Sequence, residues 1–327
     1  LREAARAVGR TCPNPPVGCV VARDGVVVGA GHTQPPPGPH AEVVALSAAG
    51  ANARGATAYV TLEPCAHQGR TPPCSRALIE AGVRRVVVAA RDPHAVASGG
   101  LHALETAGVE TCAGVGSEMA TALMAPFLHW ARTGVPYVLY KYAMTLDGKS
   151  AAFDGQPMRI SGPSSFARVH RLRERLGAVM VGIGTVLSDN PLLTVRHTWS
   201  TRLPKCAPAR VVVDSRLRIP MDSHIVRTAS DAPLLVACTA GADAGKMEAL
   251  QRAGVSVLVT AERDGRVDVA RLLVELGRRD ITGILLEGGG SRVPRRFRSQ
   301  LVEDDRDHAH QAVAGGGGSR GPDLRLR

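Results

Sequence analysis

His40-Ala-Glu42, followed by Pro64-Cys65 and then by Cys74, constrains this chain more than any other feature. One imidazole and two thiols suit zinc. They are far apart in sequence, so a fold that uses them must bring several element ends to one point. The local patterns allow this. His40 to Ala49 has the apolar spacing of a helix, which puts His40 and Glu42 at a helix start. Thr57 to Leu62 reads as a strand with Cys65 just beyond it, and Cys74 to Ala81 reads as a helix closed by Gly82. Arg85 to Ala90 is a further strand, and Val17 to Val21 with Val26 to Val28 reads as a hairpin around Arg23-Asp24-Gly25. Such alternation predicts a sheet with helices on its faces.

A structural zinc site uses four protein ligands, whereas three leave a position for water, which zinc acidifies towards neutrality. His67 is the one nearby candidate for a fourth ligand, and it follows Cys65 too closely to be the obvious choice. Glu42, two residues after the ligand His40, is placed to carry protons between that water and a leaving amine. H-x-E followed by P-C and a second cysteine is the pattern of zinc deaminases. Here eight residues separate the cysteines, so the loop is longer than the usual two. The site alone leaves open a nucleoside or tRNA-base deaminase, and also a non-catalytic protein kept folded by zinc.

The chain has 327 residues, enough for two domains with separate cores. At 44% hydrophobic and 21% charged it has the balance of a globular protein. Only 3% is aromatic, so the cores must be built from Val, Leu, Ala and Ile. No apolar run reaches the length of a membrane span, and the charged start, Leu1 to Arg6, reads as helix rather than secretory signal. Seven cysteines, two of them claimed by zinc, favour a reducing cytoplasm over a disulfide framework. The net charge of +11 raises nucleic acid as a partner, but the arginines are scattered and lack aromatic interleaving. A small anionic substrate, with neither nucleic acid nor membrane as partner, is the expectation.

Ser117 to Arg132 reads as a long amphipathic helix, and Gly134-Val135-Pro136 marks a domain boundary. The predicted division is 1–134 and 135–290, with 291–327 outside both. The second part alternates again. Strands are predicted at Tyr137 to Ala143, Ala178 to Ile183, Arg210 to Asp214, Pro233 to Cys238, Val255 to Val259 and Gly283 to Glu287. Helices are predicted at Ser164 to Leu176, Lys246 to Ala253 and Val269 to Arg278. Both parts are therefore expected to be α/β.

The run Pro64-Cys65-Ala66-His67-Gln68-Gly69-Arg70-Thr71-Pro72-Pro73-Cys74, with Asn14-Pro15-Pro16-Val17-Gly18 and Gly31-His32, resembles the deaminase half of the bifunctional riboflavin-biosynthesis deaminase/reductase family. Lys141 to Lys149, Val181 to Pro191, Leu193 to Arg196, Val213-Asp214-Ser215 and Glu287-Gly288-Gly289-Gly290 resemble its reductase half. The resemblance implies a cytidine-deaminase-like three-layer α/β/α domain and a dihydrofolate-reductase-like α/β domain that uses NADPH. It implies zinc on His40, Cys65 and Cys74, Glu42 as proton shuttle, and Asn14, His32, His67 and Arg70 around a phosphoribosylaminopyrimidine. In the second domain it places Lys141, Arg173, Leu193, Arg196 and Glu287 on substrate. Ala143, Thr185, Asp189, Ser215, Gly288, Gly289 and Gly290 fall to NADPH, and association through the reductase domain is implied as well.

Three departures accompany the resemblance. Arg159 and Pro157 stand where the family usually has Trp and Ser, and Arg159 could instead pair with a cofactor phosphate. The segment after Asp92-Pro93 lacks the expected Asn-Pro pair. After Gly290 the sequence no longer reads as the family's final helix and strands; Ala314 to Arg320 is low in complexity. Residues 291–327 are read as a shifted-frame or disordered tail, and the reductase half as incomplete, with its activity impaired.

Overall fold

The computed structural model describes residues 1–67, 72–94, 97–143, 160–196 and 207–288. The first unit opens with α1 (Arg2–Ala7), then β1 (Gly18–Arg23), β2 (Val26–His32), α2 (Ala41–Ala49), β3 (Thr57–Leu62), α3 (Cys74–Glu80), β4 (Arg85–Ala90), α4 (Gly100–Thr106), β5 (Glu110–Ala113) and α5 (Ser117–Thr133). Its strands lie in the order β2-β1-β3-β4-β5. β1 is antiparallel to β2 and β3, and β3, β4 and β5 are parallel. The core is Val, Ala and Leu with one buried aromatic, Phe127, as the composition requires.

α4 and β5 carry no clear sequence signal and extend the predicted sheet by one strand. β5 is four residues of mixed character, and α4 starts at two helix-breaking glycines. Gly100 is needed there because a Cβ at that position would overlap the Pro64 carbonyl.

The second unit has β6 (Tyr137–Lys141), α6 (Pro163–Leu176), β7 (Ala178–Gly182), α7 (Ile183–Asp189), β8 (Ala209–Val213), α8 (His224–Arg227), β9 (Leu234–Cys238), α9 (Ala244–Arg252) and β10 (Ser256–Val259). It continues through the short hairpin of β11 (Glu262–Arg263) and β12 (Arg266–Val267), then α10 (Val269–Gly277) and β13 (Gly283–Glu287). Six parallel strands lie in the order β10-β9-β8-β7-β13-β6. Alternate residues bury against opposite faces. Val179, Val181, Val212 and Val236 enter one core, and Ala178, Met180, Val211 and Ala237 the other. A parallel sheet needs both faces covered, which is why these strands read as continuous apolar runs. Ile183 to Asp189 is a helix rather than the end of strand β7, because the chain turns at Gly182. No helix among the described residues is long and apolar enough to cross a membrane.

Candidate functional site

Three element ends meet in the first unit. His40 is the N-cap of α2, Cys65 lies just past β3, and Cys74 begins α3. Their ligand atoms all lie within 4.8 Å of one another. His40 Nδ1 is 3.3 Å from Cys74 Sγ and 3.8 Å from Cys65 Sγ, and the Cys74 amide donates to Cys65 Sγ at 3.4 Å. The scaffold around them is tight. A Cβ at Gly29 or Gly31 would overlap α2, so these two glycines let β2 and α2 close up and fix the helix start. The Ser75 amide and hydroxyl both donate to the Cys65 carbonyl, at 3.2 and 3.1 Å.

Electrostatics match the donor set. The hydrogen bond from Cys74, reinforced by those from His40 and the Cys74 amide, overcomes burial and pulls the Cys65 thiol down to about 4. Cys74 is pushed up, first by its bond to Cys65 and then by burial. A thiolate, a second thiol and an imidazole at one point fit zinc, which binds thiolate and neutral imidazole. Glu42 is buried on the first turn of α2, and burial lifts its carboxyl to about 7. That is the range in which a carboxyl both accepts and returns a proton near neutral pH.

The site opens into a cavity of about 350 Å³ lined by Asn14, Thr33, His40, Glu42, Cys65, His67, His94, Phe127 and Trp130 among others. Asn14 and His67 are both part of this lining. His32 is outside the lining: its Nδ1 lies 3.2 Å from Glu3, tying α1 to β2. Arg70 falls outside the described residues. Glu63, Asp92, His94 and Trp130 line the cavity without having been singled out in the sequence. Glu63 accepts the amides of Asp92, Gly99 and Leu101 at 3.1–3.2 Å and so holds the cavity's rim. The absent Asn-Pro pair after Asp92-Pro93 was the available signal, since His94 takes its place in the lining.

In the second unit the candidates gather at the carboxyl ends of parallel strands, where α/β sheets bind ligands. Lys141 ends β6 opposite Glu287, which ends β13. Ala143 and Gly288 follow those ends, Thr185 and Asp189 lie on α7 after β7, and Ser215 follows β8. A Cβ at Gly182 or Gly184 would meet nothing within 4 Å among the described residues. Arg173 and Glu287 form a buried two-point pair, Nε to Oε1 at 2.6 Å and Nη2 to Oε2 at 2.9 Å, and Arg173 Nη1 donates to the Thr194 carbonyl at 2.9 Å. Leu193 is in the core with φ +54°. Arg196 is exposed, and its amide donates to His170 Nδ1 at 3.2 Å. Ser215 Oγ accepts the Val267 amide at 3.0 Å. Arg159, Gly289 and Gly290 lie outside the described residues.

Two family models match the chain: the cytidine and deoxycytidylate deaminase zinc-binding region over residues 1–90, and the RibD C-terminal domain over residues 136–320. The second match runs past Gly290. The riboflavin biosynthesis protein RibD of Actinobacillus pleuropneumoniae is 44% identical over 290 residues, covering 88% of this chain and 75% of that protein. The one from Escherichia coli is 38% identical, covering 93% and 83%. Among solved structures, Acinetobacter baumannii RibD superposes with a TM-score of 0.82 at 37% identity, covering 92% of this chain and 81% of that one. The Thermotoga maritima diaminohydroxyphosphoribosylaminopyrimidine deaminase/5-amino-6-(5-phosphoribosylamino)uracil reductase gives 0.77 at 34%, covering 94% and 81%. With a cluster of candidate zinc ligands in its first unit and a parallel sheet in its second, this chain belongs to the RibD family of bifunctional riboflavin-biosynthesis deaminase/reductases.

Proposed function

We propose that the first unit, residues 1–134, hydrolyses the exocyclic amine of diaminohydroxyphosphoribosylaminopyrimidine. The second, residues 135–290, then reduces the ribosyl group of the resulting 5-amino-6-(5-phosphoribosylamino)uracil; both compounds are those of the Thermotoga relative's name. The observation that carries this reading is the cluster of three ligand atoms within 4.8 Å beside buried Glu42, at the floor of a cavity sized for a heterocycle.

His40, Cys65 and Cys74 would hold zinc, which would supply an acidified water to replace the amine as the ring's oxygen. Glu42 would carry the protons of that exchange, to the ring nitrogen and to the departing ammonia. Asn14, His67 and Arg70 orient the pyrimidine and its phosphoribosyl arm, with His32 acting through the α1–β2 contact. In the second unit NADPH supplies the hydride. Lys141 and Arg196 face the sugar phosphate, and the Arg173–Glu287 pair shapes the wall beneath it. Ala143, Arg159, Thr185, Asp189, Ser215 and Gly288 to Gly290 receive the cofactor.

A cytoplasmic location and self-association through the second unit belong to the same reading. Reduction is the weaker of the two activities on this reading, because the sequence of 291–327 departs from the family pattern even though the C-terminal-domain match extends to residue 320. The full chain should release ammonia from the pyrimidine, and chelation of zinc should abolish that release. Ammonia release from cytidine or adenosine, and none from the phosphoribosylaminopyrimidine, would replace this reading with a nucleoside deaminase.

A further inference from the structure

Trp130 touches both halves of the molecule. It stands near the end of α5, lines the deaminase cavity, and stacks on His94 with ring centroids 6.1 Å apart and planes 27° apart. Phe127 packs against it at 6.0 Å. Its indole Nε1–H donates at 3.0 Å to the carbonyl of Gly277, the last residue of α10 in the second unit.

That approach requires glycine at 277. A Cβ there would overlap the carbonyl oxygen of Gly134, in the linker between the units. Gly134 in turn caps α5, its amide donating to the Trp130 carbonyl at 2.7 Å. One short junction therefore fixes the backbone of Trp130 through the linker and its side chain through the reductase unit.

The chemistry gives this junction a consequence. An indole has a single donor and no acceptor. Here the donor is spent on Gly277, so where the ring lines the pocket it offers an apolar aromatic surface. His94, stacked on it, also lines the pocket, and its buried Nδ1 has no partner among the described residues. An aromatic plate with an adjacent imidazole suits a planar heterocycle.

We propose that Trp130 is a positioning residue of the deaminase site, and that the reductase unit builds part of the deaminase pocket by holding its indole. This rests on the deaminase reading above. It adds that the first unit's substrate affinity depends on a carbonyl in the second.

The test uses the full chain. Trp130→Phe keeps the plate and removes the N–H; Gly277→Ala keeps Trp130 and drives α10 from the linker. Each should raise KM for deamination about 2- to 10-fold, as loss of one hydrogen bond implies. Turnover should stay within about twofold and zinc at about one per chain. Trp130→Ala should raise KM further, so that phenylalanine is a partial rescue. Trp199 is the chain's other tryptophan, so in a Trp199→Phe background the emission is that of Trp130. Gly277→Ala should shift that emission.

Unchanged KM in both Trp130→Phe and Gly277→Ala would overturn the proposal. So would a parallel fall of turnover and zinc content with no change in KM, which would mark a purely structural role. If the wild type releases no ammonia from the pyrimidine, the substrate reading falls. The emission then decides alone, and an unshifted Gly277→Ala spectrum overturns the junction's hold on the indole.

Discussion

Glu42 sits one residue into α2, and nothing in its side chain distinguishes it from the other glutamates. Burial beside the ligand cluster does, lifting its carboxyl to about 7. Glu42→Gln keeps the shape and removes the proton acceptor. It should keep about one zinc per chain and lower the deamination rate by about 10²- to 10⁴-fold, read by ammonia release and metal analysis. The cysteines differ in kind, because a ligand bond contributes to folding as well as chemistry. Cys65→Ser and Cys74→Ser should each lose zinc and lower the thermal midpoint of the first unit; full metal occupancy in both would refute the ligand assignment. These three residues and His40 were legible from type and spacing. His94 and Trp130 were not, since a lone histidine and a lone tryptophan carry no spacing signal until the cavity places them together.

At the scale of elements, α6 and β13 are joined by a buried ion pair. Arg173 meets Glu287 at two points, and both side chains are about 11% exposed. Removing one partner leaves a buried charge alone, which costs about 3–5 kcal/mol, whereas removing both costs much less. Arg173→Met and Glu287→Leu should each destabilise the second unit by that order, and the double variant by less than either, as measured by chemical denaturation. Additive losses would mean that the two charges are not coupled. Both residues were singled out as substrate contacts from the resemblance; that they also bind each other follows only from the parallel packing that brings the end of β13 beside α6. Arg210 makes the same point. It sits fully buried in β8 and donates to the carbonyls of Leu192, Thr228 and Ala232 and to the Thr228 hydroxyl, though its sequence context is simply a strand. Element positions were largely legible, because β-branched runs and glycine stops mark them. The elements that were missed, α4, β5, α7, α8, β11 and β12, are all seven residues or shorter, too short to show a clear period.

For the whole molecule, the cluster of His40, Cys65 and Cys74 and its cavity lie upstream of Gly134, whereas the residues proposed for NADPH follow the ends of β6, β7, β8 and β13. β6 is the outer strand of the second sheet among the described residues. The two activities are therefore expected to separate. Deamination should persist in a chain truncated after Gly290, while NADPH titration of the intact chain should show weak binding and slow ribosyl reduction. A family-like terminus in place of residues 291–327 should strengthen that binding. Tight NADPH binding and rapid reduction by the unaltered chain would show that residues 291–327 complete the sheet as they stand.

The sequence by itself picked out His40, Cys65 and Cys74, which the fold brings together, Glu42 beside them, and the two α/β units. Each of these rests on residue type, spacing or local periodicity, which act over a few positions and need no knowledge of the fold. Tertiary structure alone decided that His32 turns to Glu3, that Glu63 gathers three amides at the cavity rim, and that Arg173 and Glu287 neutralise each other. It also decided that the indole of Trp130 is held by Gly277. Partners such as Arg173 and Glu287 are 114 residues apart, and Trp130 and Gly277 are 147 apart. Contacts of that span are fixed by sheet order and by how closely two backbones approach, and no local pattern encodes either.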